Sequence, residues 1–264
     1  MAWSGQVAGR RGAVELSPVD LTDDEATRRA LAVADPEVIV HAAALSRAEE
    51  VRRDLKRGGA VNVAATWRLA HWCLERGRRL VYTSTDLVFA GSRAWYREDD
   101  PPEPIVAYGR TKHGGEAGVL AVPQGLVVRL SLLYGPTRAD RPVFYDHALA
   151  ALGRGEPQTF FEDEFRTPLD LATAARALAR LATSDACGVV HLGGPERLSR
   201  FALMQRVARA RGLDLALVHA NRLADSPGPE PRPADVSLNT ERLAELLPDL
   251  ARPSIEEAVS LLHG

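Results

Sequence analysis

Short runs of β-branched residues alternate with longer stretches of helical periodicity along most of this chain, and that alternation restricts its fold more than any other feature. It predicts a layered α/β structure, because strands joined through helices pair in parallel. Asp23-Asp24-Glu25 supplies an acidic first turn for a helix over Ala26 to Ala34, which Pro36 closes. Glu37 to His41 reads as a buried strand running into Ala42-Ala43-Ala44. A helix over 60–76 ends near Gly77, and the strand Arg79 to Thr83 leads at once into polar Ser84-Thr85-Asp86. A Pro-rich loop (Asp100 to Pro104), a helix from about Ile105 to Leu120 and a strand over Leu126 to Leu130 complete a third unit. Ligands of such sheets bind beyond the carboxyl ends of the strands, where the polar clusters fall.

Beyond residue 135 the pattern is less regular. Helices are expected near 143–153, 170–182 and 199–211, strands at Gln158 to Phe161 and Gly188 to His191, and no regular structure across the proline-rich stretch 226–233. This predicts two parts, 1–135 and 136–264, the second a smaller lobe interleaved with the end of the sheet. Lys and Arg number 33 against 35 Asp and Glu, so no global basic field is available for nucleic acid or an anionic membrane. Cys73 and Cys187 have neither disulfide-framework nor zinc spacing, and the seven histidines show no HxxxH or HExxH pattern. Glu162-Asp163-Glu164 reads as a solvated turn, so no metal site is expected. Arg52 to Arg57, interrupted by Asp54 and Leu55, reads as an exposed helix face. With no signal-length or spanning apolar run, the expectation by elimination is a cytoplasmic chain.

The chemistry centres on Tyr108 and Lys112, four positions apart on one predicted helix and so on one face. A nearby ammonium favours the phenolate and brings a phenol closer to useful acid–base work. Taken alone, the pair is more often the mark of a packed tyrosine and a solvated lysine than of a site, and Thr85 alone reads as a strand-end cap. Together the three residues point to a site.

These residues resemble the extended short-chain dehydrogenase/reductases, and among them the dTDP-4-dehydrorhamnose reductase (RmlD-like) branch. The resemblance rests on Val19-Asp20-Leu21-Thr22-Asp23, Val38 to Ala44, Val61-Asn62-Val63-Ala64 and Thr83-Ser84-Thr85-Asp86-Leu87-Val88-Phe89. It continues through Tyr96-Arg97-Glu98-Asp99, Tyr108-Gly109-Arg110-Thr111-Lys112, Val128 to Gly135, Arg166-Thr167-Pro168, Gly193-Gly194 and Arg232-Pro233. It implies a Rossmann-like doubly wound parallel sheet with a smaller α/β substrate-binding lobe, and an NAD(P)-dependent oxidoreductase using NADPH or NADH. The implied reaction is hydride transfer to the 4-keto carbon of a nucleotide-linked sugar. Tyr108 would protonate the developing alkoxide, Lys112 would tune Tyr108 and hold the nicotinamide ribose, and Thr85 would hydrogen-bond the carbonyl oxygen. Asp20, Leu21, Ala42, Ala43, Ala44, Leu45 and Ser46 would contact the cofactor, with His41 as a neighbour, while Asp86 and Leu132 would face the substrate. Arg138, Arg141 and Arg166 are candidates for its diphosphate, given guanidinium's bidentate fit to phosphate. The implied partner is the nucleotide sugar, and a homodimer is an open assembly.

Several positions depart from the branch. His41 stands where it has Asn, Leu87 where it has Tyr, and Leu132 where it has an aromatic residue. Residues 1–12 contain glycines but no strand followed by a glycine-rich turn, the arrangement that presents backbone amides to a pyrophosphate. The expectation is a sheet truncated at its N-terminal side by roughly 35 residues, one βα unit, and of marginal stability for want of a central strand. Three accounts compete, a misplaced start, a genuine truncation that binds cofactor poorly and a catalytically silent relative acting through a partner protein; the regulatory subunit of methionine adenosyltransferase, which resembles the same branch, is a precedent for the third, and the joint presence of Thr85, Tyr108 and Lys112 favours the first.

Overall fold

The structure, a computed structural model, describes residues 1–5, 8–11, 13–137 and 142–263. Three strands, β1 (Ala2–Ser4), β2 (Gly9–Arg11) and β3 (Val14–Pro18), form a sheet of their own in the order β1-β3-β2. The sequence pattern predicts none of them, because they are short and largely solvent-facing and therefore carry no apolar alternation. Helix α1 (Asp24–Ala34) starts where the Asp23 carboxylate accepts from the Ala26 N–H at 3.0 Å. After β4 (Val38–His41) come α2 (Ala48–Arg53) and α3 (Leu55–Gly58), a π-helical turn over Gly59–Ala64, and α4 (Ala65–Arg76). The predicted single helix over 60–76 therefore begins with a widened turn, and it stops as predicted at Gly77, whose φ of 61° is left-handed.

Strand β5 (Arg79–Thr85) is buried along its whole length and runs into a 3₁₀ turn at Asp86–Val88. Helix α5 (Ala107–Leu120) and β6 (Gly125–Leu130) follow. The remainder comprises β7 (Leu133–Tyr134), α6 (Phe144–Gly153), β8 (Gln158–Phe161), β9 (Phe165–Arg166), β10 (Leu169–Asp170), α7 (Leu171–Ala182) and β11 (Gly188–Leu192). Next come β12 (Leu198–Ser199), α8 (Arg200–Ala210), β13 (Val218–Asn221), α9 (Glu241–Leu246) and α10 (Ile255–His263). The main sheet has the order β11-β6-β5-β4, with β4 parallel to β5 and His41 opposite Tyr82. As its edge strand, β4 leaves Val38 37% and Val40 47% exposed.

Two compact units share these elements. The first holds residues 1–84, 107–127 and 182–188; the second holds 85–106, 128–181 and 189–264, so the division falls inside β5, β6 and β11. A single boundary at 135 would leave 85–106 and 128–135 with the first part. The structure groups them with the second because Val88, Phe89 and Tyr96 pack in one buried cluster with Val236 and Leu238. The larger core of that unit gathers Tyr134, Tyr145 and Leu152 with Leu203, Met204 and Val207 of α8 and Ile255 and Val259 of α10. In the first unit, the Arg79 guanidinium donates to the carbonyls of Ala182 and Ala186 at 3.1 and 2.6 Å, tying residues 182–188 to β5.

Candidate active site

In the first unit the chain leaving β4 is held by Asn62, which the π-helical turn presents. The Asn62 Oδ1 accepts from the Leu45 N–H at 2.8 Å, while its Nδ2 donates to the Leu45 carbonyl at 3.1 Å and to the Thr111 Oγ1 at 2.9 Å. Thr111 in turn donates to the Tyr108 carbonyl at 2.9 Å. One fully buried amide thus locks the expected cofactor loop to the helix that carries Tyr108 and Lys112. Leu45 and Tyr108 share an apolar cluster with Val51, Val61 and Ala107. Ala42, Ala43 and Ser46 are exposed, and Ala44 is half-buried. Helix α5 approaches this turn so closely that a Cβ on Gly115 would lie 2.7 Å from both the Asn62 carbonyl and the Tyr82 hydroxyl.

Lys112 is 1% exposed, and its Nζ lies 4.0 Å from the centroid of the Tyr82 ring with no hydrogen-bond partner among the described residues. Burial pushes its pKa down to about 7, against the opposing pull of Glu116. Burial raises the Tyr82 phenol far above its ordinary range, so that hydroxyl stays protonated and donates to the Lys112 carbonyl at 3.3 Å. The lysine expected to be solvated, if it had no function, is instead buried, with its Nζ unpaired among the described residues.

The second unit holds the other polar strand end. Thr85 accepts at its Oγ1 from the Leu87 N–H at 3.2 Å, the strand-end cap that its position suggests, and donates to the Asp86 Oδ1 at 3.3 Å. Asp86 is also bound by the Ser131 hydroxyl at 3.2 Å and by the Arg166 guanidinium at 2.9 Å. Arg166 reaches Glu164 with its other arm at 3.0 Å. Burial alone would raise the Glu164 pKa, but Arg200 and Arg166 outweigh it and hold the carboxyl at about 2.

Several of the expected site residues are already engaged within the chain. His41 is turned inward: its Nε2 lies 3.1 Å from the Thr66 Oγ1, its ring stacks on Tyr82, and burial with the charge of Lys112 pushes its pKa to about 3. Arg166 is not a free cation for a diphosphate, since two carboxylates already neutralise it; they outweigh its burial and raise its pKa. Leu132 packs against the core of the second unit. Asp20 is exposed, with its carboxylate accepting from the Thr22 amide and hydroxyl at 2.8 and 2.7 Å, and the Leu21 carbonyl accepts from Arg68 at 2.6 Å. Arg138 and Arg141 lie outside the described residues. Of the three successive acids, Glu162 pairs with Arg222 and Asp163 accepts from the Leu223 N–H, whereas Glu164 is buried rather than solvated. Sequence reasoning gives no site role to Ser131 or Glu164. Glu164's partners Arg200 and Arg232 are far away in the chain, so no local spacing reveals them.

The chemistry of these side chains tests the fit of a nicotinamide dinucleotide. Lys112 and Tyr108 suit ribose hydroxyls, which accept from an ammonium and a phenol, and the clamped backbone at Leu45 is a rigid wall for the same ligand. The pyrophosphate end has no equivalent among the described residues before α1, which form strands rather than a helix opened by a glycine-rich turn.

A parallel sheet whose strands end in polar clusters, crossed by a helix bearing Tyr108 and Lys112, defines a Rossmann-like α/β protein. Within that class the chain belongs to the family of the RmlD substrate binding domain, whose model matches residues 5–262. It is 31% identical over 247 residues to methionine adenosyltransferase 2 subunit beta of Bos taurus, covering 90% of this chain and 73% of that protein. It is 30% identical over 259 residues to dTDP-4-dehydrorhamnose reductase of Mycolicibacterium smegmatis, covering 96% and 78%. The crystal structure of a dTDP-4-dehydrorhamnose reductase from Bacillus anthracis in complex with NADP superposes with a TM-score of 0.85 at 22% identity, covering 94% of this chain and 89% of that one. No helix among the described residues is long and apolar enough to cross a membrane.

Proposed function

We propose that the chain is a nicotinamide-dependent reductase of a nucleotide-linked 4-keto sugar, of the dTDP-4-dehydrorhamnose type. The observation that carries this reading is the buried Lys112 amine, without a hydrogen-bond partner among the described residues, one helical turn from Tyr108. An unpaired cation in a protein interior costs several kcal/mol and is kept where a ligand completes it. Bound nicotinamide, as NADPH or NADH, supplies a hydride to the keto carbon. Lys112 donates to ribose hydroxyls and, when charged, favours ionisation of the Tyr108 phenol. Tyr108 delivers its proton to the alkoxide oxygen that forms. Thr85 turns its hydroxyl from Asp86 to the sugar carbonyl oxygen, and this bond strengthens as charge develops there, so it lowers the barrier rather than merely binding substrate. Asp86, fixed by Ser131 and Arg166, presents a carboxylate edge to sugar hydroxyls.

Titration of NADPH and NADH into the protein by calorimetry tests the assignment. Binding by the wild type, weakened at least about 10-fold in Lys112→Met, supports it; equal affinity in the two proteins removes Lys112 from the site. The likeness to methionine adenosyltransferase 2 subunit beta favours a second reading. In that reading the chain binds a nucleotide ligand without turning it over and acts through a partner protein.

A further inference from the structure

The Glu164 carboxylate holds three guanidiniums at once: Arg166 and Arg200, each at 3.0 Å, and Arg232 at 3.4 Å. Glu164 is 1% exposed, whereas the Arg232 side chain is 49% exposed, so the carboxylate is the buried hub of the cluster rather than one of its surface members. Three like charges around one anion are stable only while that anion is present. Arg166 is the arm that reaches further in, binding the Asp86 Oδ1 at 2.9 Å, and that same oxygen accepts from the Thr85 hydroxyl at 3.3 Å. Ser131 closes the arrangement, donating to the Asp86 Oδ2 at 3.2 Å and accepting from the Thr167 N–H at 3.0 Å.

Resting on the reductase reading above, we infer that Glu164 is a positioning residue for Thr85: through Arg166 it fixes the Asp86 carboxylate and so sets how strongly Asp86 holds the Thr85 proton. Oδ1 is shared between a charged donor and a neutral one, and the guanidinium makes the stronger bond. The Thr85 bond is long, which leaves its proton available for an oxygen of the ligand. Without Glu164 the three guanidiniums repel one another, Arg166 withdraws from its place, and Asp86 is left with the hydroxyls of Ser131 and Thr85, so that its Oδ1, no longer shared with a guanidinium, tightens its bond to Thr85. The Thr85 hydroxyl is then committed to a carboxylate rather than to the carbonyl oxygen.

The test is a double-mutant cycle with Glu164→Gln and Thr85→Val, reading kcat and KM for the nucleotide sugar separately. Glu164→Gln alone is expected to lower kcat about 10- to 100-fold with KM changed less than about 3-fold, and to cause no further loss in the Thr85→Val background. Losses that multiply would show that Glu164 acts elsewhere and overturn the inference. Should Glu164→Gln fail to fold, Arg166→Lys takes its place, because lysine keeps the charge but cannot bridge two carboxylates; the same pattern is required. A readout independent of turnover is the Thr85 γ-methyl resonance of the unliganded protein. It is expected to move in Glu164→Gln and to stay in Glu162→Gln, whose carboxylate pairs with Arg222 at the surface. An unmoved resonance in Glu164→Gln overturns the inference even if the protein reduces no keto sugar, whereas failure of the wild type to turn over refutes only the reductase reading.

Discussion

The Lys112 Nζ sits 4.0 Å above the centre of the Tyr82 ring, a cation held by a π face where a hydrogen-bond acceptor would be expected. The ring recovers only part of the solvation that burial removes. Lys112 therefore binds a proton less readily in the folded chain than in the unfolded one, at about 7 against 10.5. Between those values the unfolded chain carries the extra proton, so this group makes stability rise with pH across that interval.

Lys112→Met is accordingly expected to raise the melting temperature of the unliganded protein by several degrees at pH 6, with the gain shrinking toward pH 9, while abolishing cofactor binding. Thermal denaturation at the two pH values checks this. A variant destabilised equally at both would show that Lys112 is part of the packing rather than a group held for a ligand. Ligand oxygens accepting from Nζ favour its charged form, so cofactor binding at pH 8 should take up a proton, measurable as a dependence of binding enthalpy on buffer ionisation.

His41 gives a dependence of the same sign at acid pH. Its pKa of about 3 in the folded chain lies below the ordinary 6.5, so stability falls as pH drops from 6.5 toward 3, by an amount on the order of a few kcal/mol. His41→Asn removes this titration, and the variant should lose less stability than the wild type between pH 6.5 and 4 in urea denaturation. Parallel loss in the two proteins would place the acid sensitivity elsewhere.

Asn62→Ala leaves both backbone groups of Leu45 without their side-chain partner and is expected to cost about 2 to 3 kcal/mol. The urea midpoint measures that cost. Affinity for the cofactor should fall with it, since the same amide holds the loop after β4.

Gly115→Ala pushes a methyl group to within 2.7 Å of the Asn62 carbonyl and the Tyr82 hydroxyl. Overpacking of this kind costs about 1 to 3 kcal/mol and should separate α5 from the π-helical turn. A melting temperature within a degree of the wild type would contradict the close approach.

Several elements were legible in the sequence: α1, β5, α5, β6 and α8 lie within a few residues of their predicted spans. The sheet of β1, β2 and β3 was not, because short strands with exposed faces have no hydrophobic pattern to betray them. The π-helical turn was also hidden, since widening a helix by one residue alters the hydrogen bonding of Gly59–Ala64 without changing its composition. Strand-end and helix spacing pointed to Thr85, Tyr108 and Lys112, but the sequence could not show that Lys112 is buried and His41 turned inward. Both facts depend on Tyr82, whose ring touches the two of them. Glu164 was misread for a related reason: its burial comes from arginines 36 and 68 residues downstream.

In the proposed reaction Tyr108 protonates the alkoxide formed when the keto sugar is reduced. The most direct test of this step follows oxidation of NADPH and NADH by the protein with dTDP-4-dehydrorhamnose, in wild type and Tyr108→Phe. Steady turnover by the wild type is expected, with a loss on the order of 100- to 10,000-fold in the variant while cofactor affinity stays nearly intact. Binding of the nucleotide sugar without oxidation of either cofactor, or comparable turnover in both proteins, would contradict it.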